Sequence, residues 1–256
     1  TCALKEDGTV WCWGHNNLGM LGQGGFAYYP TPVQVLGLTD AVALSARRYH
    51  TCALKADGTA WCWGANHQGQ LGNGDDGCGG PYPGDQGCKK VPTPIQFADF
   101  TGLTAVAAGK EHTCVSKSDG TVWCSGRNDG GQLGDGTQED KTTPVQVVGV
   151  TGVATVAAGE DHTCALTTDG TVWCWGTGYY PGYTLGSFCW PQEGQTMPMP
   201  VANLAEVASL SAGFRYTCAI KTDGTLWCWG RANSGQLGDG SLWTPFPVEA
   251  TGLPPL

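Results

Sequence analysis

The phrase "TCALKEDGTVWCWG" at residues 1–14 returns four more times, as "TCALKADGTAWCWG" (Thr51–Gly64), "TCVSKSDGTVWCSG" (Thr113–Gly126), "TCALTTDGTVWCWG" (Thr163–Gly176) and "TCAIKTDGTLWCWG" (Thr217–Gly230). Five copies of one phrase point to a repeat architecture, in which each unit buries its apolar surface against its neighbours. The first cysteines, Cys2, Cys52, Cys114, Cys164 and Cys218, are spaced by 50, 62, 50 and 54 residues, and loop insertions account for the longer steps. A full unit, such as the fourth, reads "VATVAAGEDH", "TCALTTDG", "TVWCWG", a glycine-rich loop and a proline-led run; in other copies the last run is "TPVQVLGL" or "TPVQVVGV". Four short apolar runs divided by turn residues predict four strands per unit. The repeats are expected at about 1–40, 41–103, 104–152, 153–205 and 206–256, within a single domain over 1–256.

The spacing of ten between paired cysteines has a geometric meaning. A two-residue Asp-Gly loop would pair Ala3 with Cys12 and leave the cysteines out of register. A three-residue loop, Glu6-Asp7-Gly8, pairs Lys5 with Thr9, Leu4 with Val10, Ala3 with Trp11 and Cys2 with Cys12. That loop is a type I turn followed by Gly8 in the left-handed region. If Lys5–Thr9 is a hydrogen-bonded pair, alternation along the ladder makes Cys2–Cys12 a non-hydrogen-bonded one, with Cα atoms ~4.5 Å apart and inside the reach of a disulfide. The same register predicts Cys52–Cys62, Cys114–Cys124, Cys164–Cys174 and Cys218–Cys228. Structural zinc sites bring cysteines two to four residues apart, which none of these pairs does. Each bridge closes a short loop and is expected to stabilise by a little under about 3 kcal/mol. Five or more disulfides imply an oxidising compartment: secreted, periplasmic or cell-surface.

Both faces of the hairpin are apolar, with Cys2, Leu4, Val10 and Cys12 on one and Ala3, Trp11 and Trp13 on the other. A sheet buried on both faces must be sandwiched, and four-stranded sheets stacked around an axis are the blades of a β-propeller. A linear solenoid would need polar caps, which the sequence does not show. The 41 glycines among 256 residues are about twice the usual share of roughly 7% and fit an all-β chain with many tight turns. The net charge is −9 and no basic run exceeds two residues, which argues against nucleic acid and anionic membranes as partners. No apolar stretch is long enough to span a bilayer as a helix. No export signal is present; because the chain begins inside a repeat, a signal removed or left out upstream remains compatible with the oxidising compartment.

"AAGEDHTCALTTDGTVWCWG", followed by the element "GQLG" at Gly69–Gly72, Gly131–Gly134 and Gly235–Gly238 (Gly-Met-Leu-Gly at Gly19–Gly22), resembles the regulator of chromosome condensation repeat family. The fourth copy departs from it with "YTLGSF". The resemblance covers nearly the whole chain and implies a propeller, usually seven-bladed. The cysteine pairs resemble those of secreted or extracellular members. With five copies, beginning at the second strand of a unit, the expectation is four full blades and one three-stranded blade in an arc, with room for about two more. A ring closed directly between the blades around Trp11 and Trp227 is the alternative.

His50, His112 and His162 recur at one position per repeat, with Tyr216 as the fourth equivalent. A metal ring is conceivable, but one residue type at one place in every blade reads as a blade-to-blade packing and hydrogen-bonding device. His15 and His67 match each other after Trp-Gly and take the same reading. Asp135, Asp239 and Asn73 in the Gly-Gln-Leu-Gly loops supply too few carboxylates for calcium, so these loops are expected to be turns around a buried leucine. No nucleophile elbow, zinc-protease helix or phosphate loop is present, so no catalytic residue, metal or cofactor is assigned and the chain is expected not to be an enzyme.

What varies between repeats is what the framework does not need. Before the His-Thr-Cys stretch the copies read Arg47-Arg48-Tyr49, Lys110-Glu111, Glu160-Asp161 and Phe214-Arg215, the last followed by Tyr216. These loops are expected to share one rim, around the channel mouth. The resemblance implies a partner surface there, since loops on one face bind the partner protein in relatives such as a secreted bacterial β-lactamase inhibitor. Aromatic and arginine residues are common interface anchors. Two insertions add candidates: "GDDGCGGPYPGDQGCKK" with Tyr82 and a Cys78–Cys88 bridge, and "GTGYYPGYTLGSFCWPQEGQTMPMP" with Trp190 and the odd thirteenth cysteine, Cys189. The leading reading is a secreted or surface propeller that binds a protein. A lectin-like propeller using the aromatic insertion loops to hold a glycan is second, and nucleotide exchange by family analogy is third.

Overall fold

A computed structural model describes residues 1–75, 90–177, 194–231, 233–240 and 243–251. Its described elements are all strands, arranged as one three-stranded and four four-stranded antiparallel sheets. The first sheet holds β1 (Cys2–Leu4), β2 (Val10–Gly14) and β3 (Tyr29–Gln34). The second holds β4 (Ala41–Ala46), β5 (His50–Lys55), β6 (Ala60–Ala65) and β7 (Lys90–Gln96). The third is β8 (Leu103–Ala108), β9 (His112–Lys117), β10 (Val122–Gly126) and β11 (Lys141–Gln146). The fourth is β12 (Val153–Ala158), β13 (His162–Thr167), β14 (Val172–Gly176) and β15 (Gln195–Pro200), and the fifth is β16 (Val207–Ala212), β17 (Tyr216–Lys221), β18 (Leu226–Arg231) and β19 (Trp243–Glu249). Each sheet is an up-and-down meander in chain order.

The hairpin register is the one the cysteine spacing predicts. Cys2 lies opposite Cys12, Ala3 opposite Trp11 and Leu4 opposite Val10, and the other four sheets repeat this pairing. Lys5 N donates to Thr9 O at 3.0 Å and Gly8 N to Lys5 O at 3.0 Å. Gly8 has φ 75°, in the left-handed region that closes a three-residue hairpin loop. Disulfides join Cys2–Cys12, Cys52–Cys62, Cys114–Cys124, Cys164–Cys174 and Cys218–Cys228, each with Cα atoms 4.1 Å apart. That is closer than the ~4.5 Å of an unbridged non-hydrogen-bonded pair. Cys78, Cys88 and Cys189 fall outside the described residues.

The core lies between sheets. Val10, Cys12 and Leu21 of the first blade cluster with Ala41, Ala53 and Trp63 of the second. Cys52, Leu71 and Phe97 meet Leu103 and Val115; Cys124, Leu133 and Val147 meet Val156 and Trp175; Cys174 and Val201 meet Ala219 and Trp229. The bridges therefore sit inside the inter-blade core, and the leucines of the Gly-x-Leu-Gly turns, Leu21, Leu71, Leu133 and Leu237, are buried as expected. Each blade packs against the next through its inner strands: β1 on β4, β4 and β5 on β8, β8 and β9 on β12, β12 and β13 on β16. Among the described residues no comparable packing joins the first sheet to the fifth. The described sheets thus form an arc of four full blades and one three-stranded blade, as the repeat count predicts.

Polar groups complete each interface. Met20 O accepts from Thr51 Oγ1 at 3.2 Å and from Trp63 Nε1 at 2.8 Å of the next blade. Gln132 O does the same for Thr163 Oγ1 and Trp175 Nε1, both at 2.9 Å. His50, His112 and His162 reach one blade further on, with Nε2 at 2.7, 3.0 and 3.0 Å from Thr113, Thr163 and Thr217 Oγ1. Thr113 and Thr163 spend their single hydroxyl proton on Gln70 O and Gln132 O. They must therefore accept from the imidazole, which fixes His50 and His112 as neutral Nε2–H tautomers. Burial holds His50 and His112 down to about 3 and His162 to about 4. The histidine column is thus the blade-to-blade device that its recurrence suggests.

Candidate functional site

In every full blade the first-to-second strand turn and the third-to-fourth strand loop leave from the same end of the sheet. The four variable turns therefore converge with the loops that follow β6, β10, β14 and β18. The segments 76–89 and 178–193, which hold Tyr82 and Trp190, lie outside the described residues.

In three blades the variable turn opens with glycine, at Gly109, Gly159 and Gly213. Each lies so close to the ring of His112, His162 or Tyr216 that a Cβ there would collide with it. Tyr216 therefore packs beneath the rim as the histidine equivalent. The second blade carries Arg47 at this position. The turn keeps its hydrogen bond, Arg47 N to His50 O at 3.2 Å. The side chain crosses the axis, where Nη2 donates to Ala158 O at 2.7 Å, to Gly213 O at 3.0 Å and also to Ala212 O. One residue of the second blade thus ties together the inner-strand ends of the fourth and fifth. Burial pushes its guanidinium pKa down, against the opposing influence of Tyr216 and Glu160.

Around this tie the remaining rim residues are wired across blades. Glu160 is 4% exposed and bonded to Arg215 Nε at 2.7 Å and Lys110 Nζ at 3.2 Å. Its backbone N donates to Phe214 O at 2.9 Å. Glu111 accepts from His67 Nε2 at 2.8 Å and Arg127 Nη1 at 2.9 Å. The His67 hydrogen bond, with Arg127 adding to it, holds the Glu111 carboxyl down to about 2 despite partial burial. Arg127 also bonds Asp129 at 2.5 Å and stands 3.8 Å from Asp161. Burial, with Glu160 next to it, pushes Asp161 upward. Arg48 is exposed, 5.1 Å from the Tyr49 ring centre, and Tyr49 is edge-on to His67. Phe214 is 47% exposed with the Arg215 guanidinium over its ring.

The sequence-derived rim residues thus divide in two. Arg48 and Phe214 are exposed and Tyr49 is half-buried between Arg48 and His67; Arg47, Lys110, Glu111, Glu160 and Arg215 hold the turns in place, and Asp161 sits half-buried beside them. Sequence reasoning missed Arg127 and Asp129, whose loop looked like ordinary turn structure. It grouped His15 with His67, yet His15 packs against the Tyr28 ring, 4.9 Å between centres and tilted at 45°, while His67 joins the rim network. The signal for Arg47 was visible: it breaks a column of glycines. In the third-to-fourth strand loop Asp135 is engaged by Asn128 Nδ2 and by Thr137, so its oxygens serve the turn.

A family model described as RCC1-like domain matches residues 1–254. The ultraviolet-B receptor UVR8 of Arabidopsis thaliana is 29% identical over 97% of this chain and 56% of its own length. The human E3 ubiquitin-protein ligase HERC2 is 29% identical over 54% of the chain and 3% of its own length. Among solved structures, yeast RCC1 (Prp20) bound to Kap60 superposes with a TM-score of 0.79 at 21% identity, covering 98% of this chain and 59% of that one. Prp20p of Saccharomyces cerevisiae, described with its binding to Gsp1p and histones, gives 0.77 at 25% identity, covering 98% and 61%. Human WBSCR16 gives 0.77 at 23% identity, covering 96% and 62%. The chain spans less than two thirds of each of these proteins. With its repeats, register and blade interfaces all of this kind, the chain belongs to the RCC1-like domain family.

Proposed function

We propose that this chain is a protein-binding propeller of an oxidising compartment, and that its partner docks on the rim around the channel mouth. The observation that carries the reading is the division of the rim: an internally wired set of charges holds Arg48, Tyr49 and Phe214 outward. The exposed Arg48 and Phe214, with the half-buried Tyr49 between Arg48 and His67, have the composition of interface anchors on a rigid base. The fold supports the reading, since the yeast Prp20 structures pair it with Kap60, Gsp1p and histones. The five bridges support a secreted, periplasmic or cell-surface location, because thiols are kept reduced in the cytosol. No described residue favours the glycan reading, whose anchors Tyr82 and Trp190 lie outside the described residues.

The test is photocrosslinking from the native compartment, with benzoylphenylalanine placed at Tyr49 or Phe214 and, as control, at Trp11 near the opposite end. A protein captured from the mouth alone is then purified and titrated. The reading expects at least tenfold weaker binding to the Tyr49→Ala, Phe214→Ala variant. Equal capture from both ends, or unchanged affinity, overturns it.

A further inference from the structure

The centre of the mouth has a charge opposite to that of the chain. Lys110 and Arg215 pair with Glu160, Arg47 faces it, and Arg48 follows Arg47 on the exposed side of the turn. Asp161, half-buried next to Glu160, also feels Lys110 and Arg215. Among the described residues, these four cations against two carboxylates leave +2 at the centre, in a chain whose total is −9, so the rest of the molecule carries −11. Glu111 is taken by His67 and Arg127, and Asp129 by Arg127.

Two of the four central cations have no carboxylate at ion-pair distance among the described residues. Arg48 meets only the Tyr49 ring. Arg47 uses Nη2 on the three main-chain carbonyls, and its Nε and Nη1 have no hydrogen-bond partner among the described residues. The carbonyls hold this guanidinium in place without neutralising it. A fixed, partly desolvated guanidinium with free N–H groups is preorganised for a carboxylate, because the cost of ordering its long side chain has been met within the fold. Acidic surroundings would repel a carboxylate-rich partner everywhere but at this spot, which gives register as well as attraction.

We propose that the mouth receives a carboxylate-bearing segment of the protein partner, with an Asp or Glu side chain seated on Arg47 and Arg48 between Tyr49 and Phe214. This deepens the proposed function and rests on it, since it names the chemistry of the segment that the rim would hold.

The probe is a fluorescein-labelled acetyl-(Glu-Ser)5-amide peptide, followed by fluorescence anisotropy at 20 mM and 300 mM NaCl, with the Lys-Ser peptide as control. The inference expects binding of the acidic peptide only, at least tenfold weaker in high salt, where the screening length falls well below 10 Å. Arg47→Gly with Arg48→Ala should weaken it at least tenfold. Lys117→Ala with Lys221→Ala, which removes the same charge at the Asp-Gly end, should not. Arg48→Ala alone, at an exposed side chain with no ion pair, should give a partial loss at unchanged melting temperature and covers the case in which Arg47→Gly fails to fold.

No acidic binding, equal loss in the distant double variant, or tighter displacement by inorganic phosphate than by acetylated glutamate each overturns the carboxylate assignment. The photocrosslinked partner separates this inference from the rim reading. If Tyr49→Ala, Phe214→Ala abolishes its binding while the arginine variants bind it normally, the rim stands and the carboxylate seat falls.

Discussion

The two ends of the blades are built from the same strands and behave in opposite ways. At the Asp-Gly end, five turns repeat one set of bonds. Asp7, Asp57, Asp119, Asp169 and Asp223 each accept from the backbone N of the threonine two residues on, at 2.9 to 3.1 Å. The same threonine hydroxyl accepts from Trp11, Trp61, Trp123 and Trp227 Nε1. Lysines pair with the aspartates in four of the five. At the mouth end the turns share their backbone bonds, but no two make the same side-chain contacts: Arg47 crosses the axis, Lys110 and Arg215 share Glu160, and Glu111 serves His67 and Arg127. Repetition marks what each blade needs in order to fold. Divergence on an equivalent backbone marks what folding does not dictate, and there function has room to act.

The contrast is sharpened first by removing what is common. Reducing the five described bridges, each worth a little under about 3 kcal/mol, should unfold the domain under conditions where the oxidised form is fully native. Non-reducing peptide mapping should find each bridge within its own repeat; pairing between repeats would break the account of the register.

Acid comes next in size. The three histidines are neutral in the fold, with pKa held to about 3, 3 and 4, against an ordinary 6.5. Between these values the unfolded chain binds protons that the fold refuses, so stability is fully present above pH 6.5 and is lost as pH falls. Near pH 5 the slope should approach about 4 kcal/mol per pH unit, three protons at about 1.36 kcal/mol each. His112→Gln should reduce that slope by about one third in urea titrations at pH 6 and pH 5; an unchanged slope would show that the buried ring is not the titrating group.

Arg47→Gly follows. It restores the residue found at this position in three other blades while removing charged hydrogen bonds to three carbonyls, at an expected cost of about 1.5–3 kcal/mol. Hydrogen exchange should rise at the ends of β12 and β16, where those carbonyls lie, and not at β8, which Arg47 does not touch. Smallest is Arg48→Ala with Tyr49→Ala and Phe214→Ala, where stability should change by under about 0.5 kcal/mol per site. Arg215 does not belong in such a set, because removing it takes the shorter of two ion pairs from the buried carboxylate of Glu160.

The same contrast explains what the sequence made legible. A two-residue period, an Asp-Gly turn and a ten-residue cysteine spacing are local, so the pairing of Cys2 with Cys12 and the left-handed Gly8 followed from short-range geometry alone. The blade interface was legible because it recurs: His50, His112 and His162 occupy one column and make one bond. The mouth was legible in place but not in wiring. Arg47 and Ala212 are 165 residues apart, and Arg215 and Glu160 are 55 apart. Nothing local tells an exposed arginine from one whose charge is spent across a blade boundary. For that reason Glu160 and Arg215, read as surface, proved to be its support, and Arg127 was not seen at all.

The central claim is that the mouth, not the repeated end, carries the function. Its most direct test is calorimetric titration of the photocrosslinked partner against two variants of matched stability. One carries Arg48→Ala, Tyr49→Ala and Phe214→Ala at the mouth; the other carries Lys5→Ala, Lys55→Ala and Lys117→Ala at the Asp-Gly end. The account predicts at least tenfold weaker binding for the first and wild-type affinity for the second; wild-type binding by the mouth variant, or the loss falling on the lysine variant, would contradict it.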